Sequence, residues 1–257
     1  MNIKLIAHTQ LSHEFCDTIS SDILKLIGDD VIKDSQVVAL TAIRTCYSPN
    51  KPSEIVDIEG EKYFKNKATD GLGGTEADRL FRHITGSGHT STLEHISYTF
   101  SVEGVSRALL AQLTRHRHLS FSVQSQRYVR MGSDDKIGGF EFVSPPSLSG
   151  KIAPTNDEHE VYVNCSAADL FEEAMQDAQY TYDRLRKAGV PAEDARMVLP
   201  NAAATNIVLT GNLRTILEFY NKRKHGKGAQ WEVADLAEGI KDSILSVDSW
   251  LNKYFDY

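Results

Sequence analysis

The chain has 257 residues, 25% of them charged and 41% hydrophobic, with a formal net charge of -7. That profile belongs to an ordinary folded protein, and its acidity argues against a general nucleic-acid binder, which is more often basic. Cys16, Cys46 and Cys165 are scattered without a Cys-x-x-Cys pair, which argues against a disulfide framework or a structural zinc site and makes the cytoplasm the expected home. No stretch has the length of a membrane span, and the first apolar run is too short for a signal peptide.

Residues 2–8 read as a strand. Phe15, Ile19, Ile23, Leu24 and Ile27 recur at near-helical spacing, so 14–28 reads as a helix. Ser35 is a candidate cap for a helix through Val38 and Ile43 that stops before Ser48-Pro49. Residues 49–75 are polar and end in Asp70-Gly71-Leu72-Gly73-Gly74, the pattern of a long surface excursion. Thr75, with Asp78 three residues on, opens a helix that ends at Gly86 or Gly88. Ile96, Tyr98, Phe100 and Val102 then alternate with polar residues, as a strand does. Val105 to Thr114 follows as an amphipathic helix with Leu109, Leu110 and Leu113 on one face.

Residues 132–159 hold Gly, Asp and Pro clusters and one strand-like piece, Phe140 to Val143. Helices are expected over 160–188, closed by Gly189 and Pro191, and over Glu193 to Leu199, halted by Pro200. Ile207 to Thr210 reads as a strand, and Asn212 to Arg223 and Trp231 to Tyr254 as helices. The expected architecture is one α+β domain over 1–257. It has a mixed, largely antiparallel sheet flanked by helices, a helical C-terminal part, and polar insertions near 49–75 and 132–159.

One segment stands out against the acidic background. From Arg115 to Tyr128 the chain reads Arg-His-Arg-His-Leu-Ser-Phe-Ser-Val-Gln-Ser-Gln-Arg-Tyr. Its guanidinium forks suit a phosphate, and its amides and hydroxyls suit a base or sugar. A solvated basic loop, or salt bridges to the many carboxylates, would also explain it. His89-Thr90-Ser91-Thr92-Leu93-Glu94-His95 invites a metal reading, but its histidines stand six apart, unlike the one-turn spacing of HExxH. Arg196 lies in the apolar run Ala195-Arg196-Met197-Val198-Leu199-Pro200, as a buried ion-pair partner or a ligand-facing group. Asn212 and Arg214 stand near a helix start, where polar groups reach ligands readily.

Arg115-His116-Arg117, then seven residues, then Ser125 resembles the signature of the flavin-dependent thymidylate synthases. The resemblance extends to Ser125-Gln126-Arg127-Tyr128, upstream to Gln112 and to Gly88-His89 with Glu94-His95. Downstream it takes in Ala195 to Pro200, Asn212-Leu213-Arg214 with Arg223, and Ala229-Gln230-Trp231-Glu232, all in the family's order. The resemblance implies a FAD-dependent methyltransferase that converts dUMP to dTMP. 5,10-methylenetetrahydrofolate would give the carbon, FAD would carry the hydride, and NADPH would reload it. It implies tightly bound FAD, no metal, no nucleic-acid or membrane partner, and a homotetramer with active sites between subunits.

By motif match, Arg115, His116 and Arg117 would hold FAD together with His89, Ser91, Glu94, Asn212 and Arg214. Gln112, Ser125, Gln126, Arg127, Arg196 and Arg223 would hold dUMP. Ser125, Arg223 and His89 would be the catalytic set, with His89 also bordering the folate. No GxGxxG motif is present, so a Rossmann site is not how the flavin would bind. No cysteine is expected to attack the pyrimidine. Three positions depart from the family pattern: Val123 where many members carry Glu, Glu218 where some carry Asn, and Cys46 where Ser is frequent. Two other readings stay open, a nucleic-acid-binding module using the Arg115 cluster and a metal hydrolase using His89, Glu94 and His95.

Overall fold

The computed structural model describes residues 1–29, 31–152 and 165–255. The chain opens with β1 (Asn2–His8), followed by α1 (His13–Cys16), α2 (Ser21–Gly28), α3 (Asp34–Tyr47), α4 (Ile55–Lys65) and α5 (Glu76–Gly86). A 3₁₀ turn (Thr90–His95) leads into β2 (Ser97–Ser106), α6 (Arg107–Leu113) and β3 (Ser120–Val123). Then come α7 (Ala167–Lys187), α8 (Ala192–Ala195), β4 (Ala204–Asn212), α9 (Leu213–Arg223) and α10 (Trp231–Leu245), with a last 3₁₀ turn at Ser249–Tyr254. The strands form one antiparallel sheet in the order β1-β2-β4-β3. The α+β expectation holds, and no parallel pairing is present in that sheet.

Contacts divide the chain into two compact units. The first comprises Met1–Asn2, Ser101–His116 and Phe121–Val208; the second comprises Ile3–Phe100, Arg117–Ser120 and Leu209–Tyr257. In the second, α3 packs on α4, α5 and the Thr90–His95 turn, which in turn meets α9. Its core includes Leu40, Ile43, Phe81, Leu93, Tyr98, Ile216, Phe219 and Leu236. Removal of such side chains from water is the main stabilising term. In the first unit, α7 packs on α8, and Met131, Tyr182 and Ala195 form a buried cluster ringed by Val129, Phe140, Leu185 and Leu199.

Local chemistry explains most boundaries. The Thr75 hydroxyl accepts from the Asp78 amide at 3.4 Å while Asp78 accepts the Thr75 amide at 2.9 Å, the expected reciprocal cap of α5. Ser106 caps α6, and Asn212 caps α9. Along β2 the inward positions Tyr98, Phe100 and Val102 give way to Val105 after Gly104, whose φ is +67°. The strand slips phase there as a bulge does, and Asn206 Oδ1 secures it by accepting the Gly104 amide at 3.0 Å.

Several expectations are corrected. The helix over 14–28 is two helices. Ser35 is not the cap of α3; the Gln36 side chain accepts the Lys33 amide instead, and Ser35 is buried. The Ser35 hydroxyl bonds Asp248, which also accepts from Tyr98 at 2.6 Å and from the Trp250 indole at 3.3 Å. Burial and this carboxylate push the Tyr98 phenol far above its ordinary pKa. The 49–75 excursion contains α4, whose Ile55, Val56, Tyr63 and Phe64 are buried. The polar cluster contains β3. Phe140 to Val143 forms only an isolated bridge, Phe142 to Ala203. Beyond α8 the chain makes a 3₁₀ turn at Arg196–Val198, and α10 stops at Leu245. The expected residues 160–164 of the long helix and 153–159 of the second insertion lie outside the described residues.

Candidate functional site

In the second unit, the end of α5 builds the first part of the site. Gly88, at φ +77°, lets the chain reverse so that the His89 amide donates to the Ile84 carbonyl at 3.2 Å. The 3₁₀ turn that follows buries Thr92 and Leu93 and leaves Ser91 and Glu94 outward. Thr92 Oγ1 donates to the His89 carbonyl at 3.2 Å. His89 Nδ1 lies 2.8 Å from the Tyr47 hydroxyl.

Helix α9 supplies the facing polar groups. Asn212 Oδ1 accepts the Thr215 amide at 2.9 Å. Arg214 Nη1 meets Glu94 Oε1 at 2.6 Å and its Nε meets Glu218 Oε1 at 3.4 Å. The bond to Glu94, followed by Glu218, holds the Arg214 guanidinium above its ordinary value, so it is fully charged. Glu94 is therefore engaged with an arginine, as its place between two histidines would not suggest. Among the described residues, no group of three or more His, Cys, Asp or Glu is gathered as metal ligands would be. Arg223 ends α9, where a cation suits the negative end of the helix.

Arg115 and Arg117 leave the end of α6 exposed, and neither guanidinium is in an ion pair among the described residues. That is unusual in a chain with seven surplus negative charges. Cys46 is exposed and makes one weak contact, Sγ to the Ala42 carbonyl at 3.7 Å. Val123 is half-buried in β3 and Glu218 is committed to Arg214.

The first unit gathers the other candidates. After β3 the Gln124 amide bonds the Asn206 carbonyl at 2.9 Å, and the chain turns on Ser125. Ser125 Oγ accepts the Arg127 amide at 3.2 Å, and the Ser125 carbonyl accepts the Val129 amide at 2.8 Å. Gln126 is only 4% exposed, and its Nε2 is buried with no hydrogen-bond partner. A buried donor left without an acceptor is costly. Gln112 Nε2 donates back to the Ala108 carbonyl at 3.3 Å.

Arg127 and Arg196 are brought together by one residue. Arg127 Nε meets Glu193 Oε2 at 2.5 Å, and Arg196 Nε donates to the Glu193 carbonyl at 3.0 Å. Arg107 is close enough to join them. Burial, then the charge of Arg196, pushes its guanidinium below the ordinary value. Neither Arg107 nor Arg196 has a carboxylate in an ion pair among the described residues. Arg127 thus holds the Glu193 carboxylate, Arg196 the Glu193 backbone carbonyl, and Arg107 lies within electrostatic reach of Arg196. Sequence reasoning missed Arg107. Its one signal was its place at the first residue of α6, the positive end of a helix, where a cation is mildly unfavourable.

The cavities lie elsewhere. One of about 450 Å³ in the second unit is lined by Trp250, Lys253, Lys33 and Phe64, and another of about 510 Å³ by Phe15, Val38, Cys46 and His95. One of about 190 Å³ in the first unit is lined by Gln124, Glu141, Thr205 and Asn206. None of these is lined by Arg115, Arg117, Arg127, Arg196 or Arg214.

The chain thus sets exposed and neighbouring arginines against an acidic background. Comparison with known proteins gives its family. Residues 26–248 match the family model described as thymidylate synthase complementing protein, and the chain belongs to the flavin-dependent thymidylate synthase family. It is 39% identical over 204 residues to the flavin-dependent thymidylate synthase of Geobacter sulfurreducens, covering 79% of this chain and 75% of that one. It is 34% identical over 215 residues to the enzyme of the same name from Haloarcula marismortui, covering 79% of each. Its fold is similar to that of a UMP/dUMP methylase, PolB from Streptomyces cacaoi, solved with 5-Br dUMP. The TM-score is 0.66 at 20% identity, over 99% of this chain and 94% of that one.

Proposed function

We propose that this chain is a FAD-dependent methyltransferase, a thymidylate synthase that converts dUMP to dTMP with 5,10-methylenetetrahydrofolate and NADPH as co-substrates. The observation that carries it is the meeting of Arg127 and Arg196 at Glu193, with Arg107 within electrostatic reach of Arg196. A phosphate monoester is a dianion with three acceptor oxygens, and planar guanidinium forks match it in charge and geometry. Ser125 orients the nucleotide, the orphan Nε2 of Gln126 offers it a buried donor, and Gln112 completes its binding set. Arg223 stabilises negative charge that develops on the pyrimidine ring, and His89 borders the folate.

Residues of the chain also fit a flavin with its diphosphate. Arg115 and Arg117 are unpaired, Arg214 is charged, and the NH₂ of Asn212 is outside its capping bond. These four, with His116, Ser91 and Glu94, would hold it. When bound, FAD supplies the hydride equivalent that takes the transferred carbon to a methyl group. The chain then acts as one domain in a cytoplasmic homotetramer with sites completed between subunits.

The test is turnover. Purified protein given FAD, NADPH, methylenetetrahydrofolate and dUMP should form dTMP, and deoxyuridine should not replace dUMP. Absence of dTMP from a flavin-loaded, folded preparation would remove the reading.

A further inference from the structure

We propose that Tyr47 is a positioning residue that fixes the tautomer of His89, so that His89 meets its ligand as an N–H donor at Nε2. The inference rests on the reading of His89 as a residue of the flavin and folate site. The Tyr47 hydroxyl lies 2.8 Å from His89 Nδ1, and the two rings meet edge to face with centroids 5.9 Å apart and planes at 88°. Both partners are held from behind. Tyr47 is the last residue of α3, and the Ser48 amide closes that turn on the Arg44 carbonyl at 2.7 Å. Glu59 then clamps the exit: it takes Arg44 Nε at 2.6 Å, Ser48 Oγ at 2.5 Å and Asn50 Nδ2 at 3.0 Å. Across from it, the His89 backbone is fixed at both its amide, to Ile84, and its carbonyl, from Thr92.

The contact therefore joins two anchored groups, not two free side chains. Tyr47 is also 57% exposed, so its hydroxyl had water available and needed no protein partner. The chemistry settles the direction of the bond. A phenol O–H is a far stronger acid than a neutral imidazole N–H, so the phenol donates and Nδ1 accepts. A neutral imidazole carries one N–H, and with Nδ1 accepting, the proton resides on Nε2. His89 then offers a donor to a carbonyl or anionic oxygen of the ligand. The opposite arrangement, Nδ1–H donating to the phenol oxygen, would leave Nε2 as an acceptor and a base.

The experiment uses the full chain labelled with ¹⁵N-histidine, at a pH where imidazoles are neutral. Long-range ¹H–¹⁵N spectra identify the tautomer, and the His89 signals are those lost in His89→Gln. The wild-type protein should show the Nε2–H pattern, and Tyr47→Phe, which keeps the ring, should move towards a mixture. Turnover of Tyr47→Phe should fall about tenfold in kcat, the weight of one well-placed hydrogen bond, with the KM for dUMP unchanged. An Nδ1–H pattern in the wild type, a tautomer ratio unchanged by Tyr47→Phe, or an unchanged kcat would each overturn the proposal. The spectra decide the tautomer whether or not dTMP is made; failure of the wild type to make dTMP counts against the function instead.

Discussion

Replacing Arg196 with alanine should separate binding from stability. Within the fold, the change removes the bond from Arg196 Nε to the Glu193 carbonyl at 3.0 Å, a net loss of about 0.5–1.5 kcal/mol. It also removes a like-charged neighbour from Arg107, whose guanidinium Arg196 helps to push down. At a half-buried site in contact with water that relief is on the order of 0–1 kcal/mol. The two nearly cancel, so stability should change by less than about 1 kcal/mol, a Tm shift within about 4 °C for a chain of this size. The ligand sees no such cancellation. One charge-assisted bond to a phosphate contributes about 1.5–3 kcal/mol, so the Kd for dUMP should rise about 10- to 150-fold. Calorimetric titration with dUMP and with deoxyuridine reads the difference, and thermal melts read the rest. Affinity for deoxyuridine should be unchanged. An unchanged dUMP affinity, or equal losses for the two ligands, would show that Arg196 does not read the phosphate. A large fall in Tm with no ligand-specific effect would make it a structural residue.

Glu218→Gln should tighten FAD binding by about threefold in fluorescence titrations, because an exposed carboxylate that competes for Arg214 is lost. Asp248→Ala leaves the donors of Ser35, Tyr98 and Trp250 short of a buried acceptor. Urea unfolding should show a loss of about 3 kcal/mol or more. Burial raises the Glu59 pKa, but its bonds to Ser48, Arg44 and Asn50 outweigh that and leave it below its ordinary 4.5. Its contribution is thus fully present above the unfolded value and is lost as pH falls through the folded one. Glu59→Gln should flatten the acid limb of a stability-versus-pH curve, and an unaltered limb would mean that the clamp does not discriminate between protonation states.

Elements whose chemistry is local were legible in the sequence. Thr75 and Asp78 announce α5 because a reciprocal cap needs only a three-residue spacing. The alternation at Ile96 to Val102 announces β2 for the same reason. Misreadings came where tertiary contacts override local signal. Helix α4 carries Asp57, Glu59, Glu61 and Lys62 among its apolar residues, so its polar face masked the buried one. Ser35 has the chemistry of a cap, yet a partner over two hundred residues away claimed its hydroxyl. The site divides along the same line. Its residue types and order are visible in the motifs, but the meeting of Arg127 and Arg196 at Glu193, with Arg107 near Arg196, depends on packing between segments far apart in the chain.

The threading of the two units carries a consequence for biogenesis. The second unit begins at Ile3 yet includes α9 and α10, and its Thr90–His95 turn packs on α9 while the Phe81 and Trp250 rings meet at a tilt with centroids 5.1 Å apart. The α5 face that carries Phe81 leaves the ribosome early and meets Trp250 only when almost the whole chain has been made. Contacts of such long sequence separation are slow to form. Truncation near the C-terminus should therefore yield aggregates rather than a smaller folded protein, and neither unit can be excised as one continuous fragment.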